Sequence, residues 1–498
     1  MITWHGKRCT KVDISLAGHI PYCAKCDNIA PSDFDTPPLS GPPIIPYSSQ
    51  GRLNLTWPSS VTYSTESIIQ EDASTSYLAP HITGSEQYQA CELQADLSGR
   101  QHQAHGFESL GYNDKIRLLR LERGTGKDPL HGNLVSVALK DPIIYEAVSY
   151  VWADDDGDTT RNRPLYLGER WEVLPITKNC EATIRRLRLT GEDRTLWIDA
   201  VCINQTDVYE RSHQVGLMSQ IYSTARACLV YIGEHRDNSE MAMRLIDQDY
   251  LPRRLPEDIS IALSSLFKRP YFSRTWILQE LVLSSKAIVH CGESTTDWLQ
   301  IISKPWDRYP TIDVPSWVKN FEICRYRQAL DFPRWIFEMS STVVSDYRDQ
   351  FFAILGLFRG LENDGLIPDY SLSTAQVYTG VASYLLLNHG MKHIISINKE
   401  PTAGLPSWVP DWRHLKSTQW DANTGSFEQV LTQANRQPKQ GLMVFRTIPN
   451  KQVKEWPRHI PNIFNICWEH QGCYGGPPVE VVRENVRGSV TEWFRIDA

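Results

Sequence analysis

The stretch TLWIDAVCINQ, residues 195–205, sets a carboxylate, Asp199, inside an apolar run and closes it on two amides, Asn204 and Gln205. A carboxylate left alone in apolar surroundings is strongly penalised, so Asp199 must reach the end of its strand or meet a cation. A cation such as Arg211 or Arg274 would make Asp199 a structural ion-pair partner; a place at a strand end would make it an acid on a crevice floor. Residue physics leaves both readings open. Two further acids stand nearby in sequence. Glu210 follows Asp207 at the capping-box spacing, and Glu280 follows Trp276 by one helical turn, on the same face. Such carboxylates can stabilise a developing positive charge, while Asn204, Gln205 and a helix N-terminus can hold hydroxyls or phosphate, with Arg274 as a partner for an anion. Trp152, which ends YEAVSYVW just before ADDDGD, either stacks on a planar ligand or fills the core.

A second set of reactive residues lies at the amino end. Cys23 and Cys26 form a C-x-x-C pair, and Cys9 with His19 or His5 can complete four zinc ligands; free thiols in an N-terminal arm are the alternative. The eleven cysteines are scattered over 498 residues, and the polar opening MITWHGKRCT carries no signal segment. We therefore expect a cytoplasmic chain with reduced thiols and no disulfide framework. No apolar run is long enough for a membrane span. The net charge of -7 argues against a sequence-independent nucleic-acid surface. Common catalytic templates fail: ERGTGKD, 122–128, lacks the upstream glycine and the hydroxyl residue of a phosphate loop, and no nucleophile elbow, zinc-protease helix or dinucleotide glycine fingerprint is present.

The elements that must position these residues follow from periodicity. KIRLLRLE (115–122), YEAVSYVW, TLWIDAVCI, ACLVYIG (227–233) and KAIVHCG (286–292) read as strands, and LYLGERWEVLPIT (165–177) as a hairpin turning near Gly168–Glu169. NCEATIRRLRL (179–189), Val208–Ala225 and YFSRTWILQELVLSS (271–285) read as helices, the second capped by Asp207. Strands alternating with helices predict an α/β fold with a largely parallel sheet flanked by helices. The expected organisation is a Cys-containing segment over 1–30, a Ser/Thr/Pro-rich flexible linker over 31–110, the α/β core over 111–300, a mostly helical extension over 301–425 and a loop- and β-rich tail over 426–498.

Several stretches together resemble the fungal heterokaryon-incompatibility (HET) domain family, in the family's order. They are YEAVSYVW, LPITKNCEATIRRLR (174–188), LWIDAVCINQTDVYERSHQVGLMSQIY (196–222) and RPYFSRTWILQELVLSSKAIVHCG (269–292), with SDYRDQFFAILGL (345–357), IPDYS (367–371) and PSWVPDW (406–412) downstream. One position departs: Ala153 stands where the family usually has glycine, which matters if the backbone there is left-handed or closely approached. The resemblance implies a role in non-self recognition between fused fungal cells, ending in programmed cell death. It also implies protein partners, self-association and a likeness to TIR domains, some of which cleave NAD. In that reading the core is TIR- or flavodoxin-like, NAD is a substrate, and Asp199, Glu210 and Glu280 are the candidate acids. A non-enzymatic signalling module and an inactive relative are the competing readings.

Overall fold

The computed structural model describes residues 2–6, 9–31, 107, 109–111, 114–321, 342–358, 366–389 and 409–414, together with short strands beyond residue 440. The expected linker, 31–110, lies outside the described residues except at its ends. The chain divides into two compact units. Among described residues the first unit holds those up to 31, 107–272 and 284–314, and the second holds 273–283 and those from 315 onward.

The first unit is built on a nine-stranded sheet. Two strands of the amino-terminal arm, β1 (Ile14–Ala17) and β2 (Ile20–Cys23), form a separate antiparallel pair. The large sheet uses β3 (Lys115–Leu121), β4 (His131–Ala138), β5 (Glu146–Ser149), β6 (Arg161–Leu167), β7 (Glu172–Thr177), β8 (Arg194–Trp197), β9 (Cys228–Tyr231), β10 (Ala287–Cys291) and β11 (Ser294–Asp297). Their lateral order is β11–β10–β9–β5–β8–β3–β4–β6–β7. The run β10, β9, β5 and β8 is parallel throughout, and antiparallel pairs follow on both sides. β5 and β9 are buried at every position, as expected of strands covered on both faces.

Within the parallel run the chain visits β5, then β8 on one side, then β9 and β10 on the other. Winding therefore reverses between β5 and β9, and in open α/β sheets the ligand crevice lies beyond the strand carboxyl ends at such a reversal. Two helices pack this region. Helix α1 (Lys178–Leu187) is capped by Thr177, whose hydroxyl accepts the N–H of Cys180. After a single turn, α2 (Asp199–Cys202), comes α3 (Val208–Thr224), capped by Asp207 through the N–H groups of Tyr209 and Glu210. The apolar stripe of α3, Val215, Met218, Ile221 and Tyr222, is buried, and each such side chain contributes about 1.5–3 kcal/mol. Tyr222 also donates its hydroxyl to the Val148 carbonyl at 3.0 Å, so the helix is keyed to β5 by a directional bond.

Two sequence expectations need correction. TLWIDAVCI is not one strand: β8 ends at Trp197, and Asp199 opens α2. The local cause is visible, because the Ile198 carbonyl accepts the N–H groups of Val201 and Cys202 while the Asp199 carboxylate accepts that of Ala200. The helix expected over 271–285 is shorter. A 3-10 turn covers Pro270–Ser273, and the α-helix runs only over Ile277–Leu283.

The second unit contains that Ile277–Leu283 helix and further helices over Asp349–Leu355 and Thr374–His389. Phe351 meets Tyr378 and Trp412 edge-on, with centroids 5.6 and 5.3 Å apart. Arg348 binds Asp346 through two nitrogens and donates to the carbonyls of Tyr370 and Leu372, and Tyr370 donates to Asp349 at 2.5 Å. The segments around SDYRD, IPDYS and PSWVPDW are therefore joined by ring packing and charge-assisted bonds. In the tail, Val479–Val486 and Arg446–Pro449 both pair antiparallel with Ser489–Ile496.

Candidate functional site

β5 and β8 are parallel neighbours with Ala147 opposite Trp197, so their carboxyl ends lie side by side. Three residues after β5 comes Trp152, and two after β8 comes Asp199. The Trp152 indole Nε1 donates to Asp199 Oδ2 at 2.8 Å, and the Ala200 N–H reaches Oδ1 at 2.7 Å. Two donors thus fix the orientation of a half-buried carboxylate. Gln205 folds back and donates from Nε2 to the Asp199 carbonyl at 2.9 Å. Asn204 makes an Asx turn, its Oδ1 accepting both the N–H and the hydroxyl of Thr206 at 3.3 and 2.7 Å. The acid sits past the strand, and the amides lock the turn around it.

Glu210 has a different task. Its carboxylate takes two guanidinium bonds from Arg117, at 2.5 and 2.9 Å, and the Asn204 N–H at 2.7 Å. Arg117 also donates to the Cys202 carbonyl at 3.1 Å and lies over the Phe107 ring. A carboxylate so fully engaged with structural donors holds the loop, which leaves Glu210 little capacity to act on a ligand as one of the candidate acids. The capping box is also only half formed. Asp207 caps the helix, whereas Glu210 reaches Arg117 instead of closing the reciprocal bond.

The wall beyond β9 adds residues that sequence reasoning missed. Arg236 pairs with Asp155 at 2.7 Å, which ties the loop after β9 to the loop after β5 at the winding reversal. Tyr231 donates to Glu234 at 2.6 Å. His235 lies between the Ser239 and Ser294 hydroxyls, 3.3 Å from each, and packs so closely on Gly292 that a Cβ there would overlap its ring. The acidic run after Trp152 is anchored too: Lys178 bonds Asp154 at 2.9 Å and holds its carboxyl below the usual range. Asp237 and Asn238 both take left-handed backbone, with φ of 51° and 57°. The legible signal for this wall was the Gly233 break after a buried strand; the partners were not.

Ala153 is absent from the residues with left-handed φ. Its backbone therefore does not require glycine, and Ala153→Gly is expected to leave the fold unchanged or lower stability by up to about 1 kcal/mol through added unfolded-state freedom. Denaturation midpoints of the two proteins check this; a clear gain in stability for the glycine variant would contradict it.

Arg274 and Glu280 belong to the second unit. There Arg274 is half-buried and bridges to Val343 through its backbone, and Glu280 is buried on the Ile277–Leu283 helix. Of the zinc candidates, Cys9, Cys23 and Cys26 come together with His5, and all four ligand atoms lie within 4.8 Å of one another. His19, the other histidine considered, sits exposed on the β1–β2 turn and outside that group. Burial and the neighbouring thiols push Cys9 up to about 11. Burial also acts to raise Cys23, but bonds from the backbone of Asp13 and Lys25 outweigh it and bring the thiol to about 6.

Residues 145–280 match the sequence model of the family described as Heterokaryon incompatibility protein (HET). The chain is also 26% identical to Heterokaryon incompatibility protein 6, OR allele, of Neurospora crassa, over a match covering 61% of this chain and 59% of that protein. The chain thus spans less than two thirds of the curated relative it matches. No solved structure matches it. Among the described residues no helix is long and apolar enough to cross a membrane.

Proposed function

We propose that this chain is an effector of fungal heterokaryon incompatibility, acting in the cytoplasm with protein partners or copies of itself. In this reading its HET region triggers cell death by hydrolysing a nucleotide such as NAD. The observation that carries the enzymatic reading is the Trp152–Asp199 pair at the carboxyl ends of two adjacent parallel strands. Supporting it is the strand order β8–β5–β9–β10, second, first, third and fourth in the chain, the same lateral order as in flavodoxin-like sheets, which suits a TIR-like core.

The chemistry balances with water as co-substrate. The bond between the ribose C1′ and the nicotinamide nitrogen breaks with its electron pair leaving on the nicotinamide. Positive charge develops on the ribose, and water adds to C1′ and gives up a proton. Asp199, oriented by Trp152 and Ala200, would stabilise that charge, and the indole face offers a platform for a flat ring.

Inducible expression in a fungal host decides between this reading and a non-enzymatic signalling module. Native protein is expected to arrest growth and deplete NAD, and purified protein to release nicotinamide. Asp199→Asn, if folded, is expected to lose about 10²–10³-fold in that release. Undiminished killing by the Asn variant with NAD unchanged would favour the signalling module and end the enzymatic reading.

A further inference from the structure

The amino-terminal arm brings four ligating side chains from two chain segments, His5–Cys9 and Cys23–Cys26, to one point, and no part of the proposed nucleotide chemistry uses them. Cys23 and Cys26 leave a tight turn in which the Cys23 carbonyl accepts the N–H groups of Cys26 and Asp27, at 3.3 and 2.8 Å. Asp27 completes that turn with a left-handed φ of 54°. Cys9 follows a turn closed by its own N–H on the Gly6 carbonyl at 2.8 Å. The Sγ atoms of Cys9 and Cys23 are 3.8 Å apart, and Cys26 Sγ is 3.7 Å from His5 Nδ1. A tetrahedral zinc with bonds of about 2.3 Å to sulfur and 2.0–2.1 Å to nitrogen needs ligand atoms separated by roughly 3.6–3.8 Å. A disulfide needs about 2.05 Å, so the thiols stand at the spacing of co-ligands rather than of a bridge.

The second shell points the same way. His5 Nε2 lies 2.6 Å from the Arg170 carbonyl, which can only accept, so Nε2 carries the proton and Nδ1 turns its lone pair toward the thiols. A metal-bound histidine characteristically fixes its tautomer through such a bond. That bond also fastens the arm to the β6–β7 hairpin. Ile2 exchanges both backbone bonds with Val173 on β7, the last strand of the large sheet, and Trp4 donates to the Trp171 carbonyl at 2.7 Å. Trp4, Cys23 and Ala30 share one small core with Tyr166 and Val173 of the hairpin.

We propose that His5, Cys9, Cys23 and Cys26 form a structural zinc site that clamps the amino-terminal arm over the open edge of the nine-stranded sheet. Three thiolates and an imidazole leave no coordination position for water, which suits a closed structural site. The metal gives the small arm the stability that its own core is too small to supply, and the arm covers an edge that would otherwise invite pairing with another chain.

The test uses the full chain, purified under reducing conditions from zinc-supplemented culture. Elemental analysis is expected to find one zinc per chain. Replacement by cobalt is expected to give the visible bands of a tetrahedral ion together with sulfur-to-metal charge transfer. His5→Gln is expected to lose the metal on dialysis, whereas His19→Gln keeps it. If His5→Gln fails to fold, the native cobalt spectrum still decides. A metal-free native protein with free thiols, a Cys9–Cys23 disulfide, or retention of zinc in His5→Gln would each overturn the assignment. None of these readouts depends on NAD turnover.

Discussion

Arg117→Met is expected to lower the stability of the first unit by about 3–5 kcal/mol, because it leaves the Glu210 carboxylate half-buried and without its cation. Arg117 lies inward on β3, with only 2% of its side chain exposed, and makes both guanidinium bonds to Glu210 and one to the Cys202 carbonyl. The same carboxylate holds the Asn204 N–H, so one ion pair fastens the start of α3, the end of α2 and the loop between them. Losing the cation should therefore loosen the turn that carries Asp199 as well as destabilise the sheet. Arg117→Met combined with Glu210→Leu removes both charges and is expected to recover about 1–3 kcal/mol of the loss, since replacing a buried pair is far milder than breaking it. Urea unfolding of the three proteins measures both quantities. A single-variant loss below about 1 kcal/mol would show that the pair does not hold this loop.

How much of this was legible in the sequence depends on the range of the forces involved. β5, β9, β10 and α3 could be read because unbroken apolar runs and a helical stripe are local patterns. The end of β8 could not, because a one-turn helix such as α2 is too short to show a period; only the short bond from Asp199 to its own neighbour marks it. The pairing of Glu210 with Arg117 spans 93 positions, and KIRLLRL gave no hint beyond an arginine set among apolar neighbours. The choice between His5 and His19 was likewise invisible. It depends on the carbonyl of Arg170, 165 positions away, which holds His5 facing the thiols. From the sequence, Trp152 reads as the end of a strand, and Asp199 as either an ion-paired acid or an acid at a strand end. Their hydrogen bond follows from β5 and β8 being neighbours, and that is a fact of sheet order which spacing alone does not carry.

The same sheet holds a titration that should appear in the stability of the protein. His290, on β10, is 8% exposed, and among the described residues neither ring nitrogen has a hydrogen-bond partner. Burial first, then the nearby guanidiniums of Arg186 and Arg194, push its pKa down to about 4, against the smaller opposing pull of Glu146. In the unfolded chain a histidine titrates near 6.5. Between those values the unfolded chain binds a proton that the folded form refuses, so acid favours unfolding. Stability from this group is complete above pH 6.5 and is lost progressively as pH falls toward 4, to a total of about 3 kcal/mol. Glu146 acts in a lower window. Burial raises its pKa, but Arg194 and Arg226 outweigh that and hold it below 4.5, so its contribution persists until the pH falls through that range. Between pH 7 and 5 the native protein is thus expected to lose about 2 kcal/mol through His290, read as a fall in the urea midpoint. His290→Leu removes the titrating group and two buried nitrogens without partners, so its midpoint should change by that much less over the same interval. An equal slope in the two proteins would show that His290 is not the buried neutral base that this sheet makes of it.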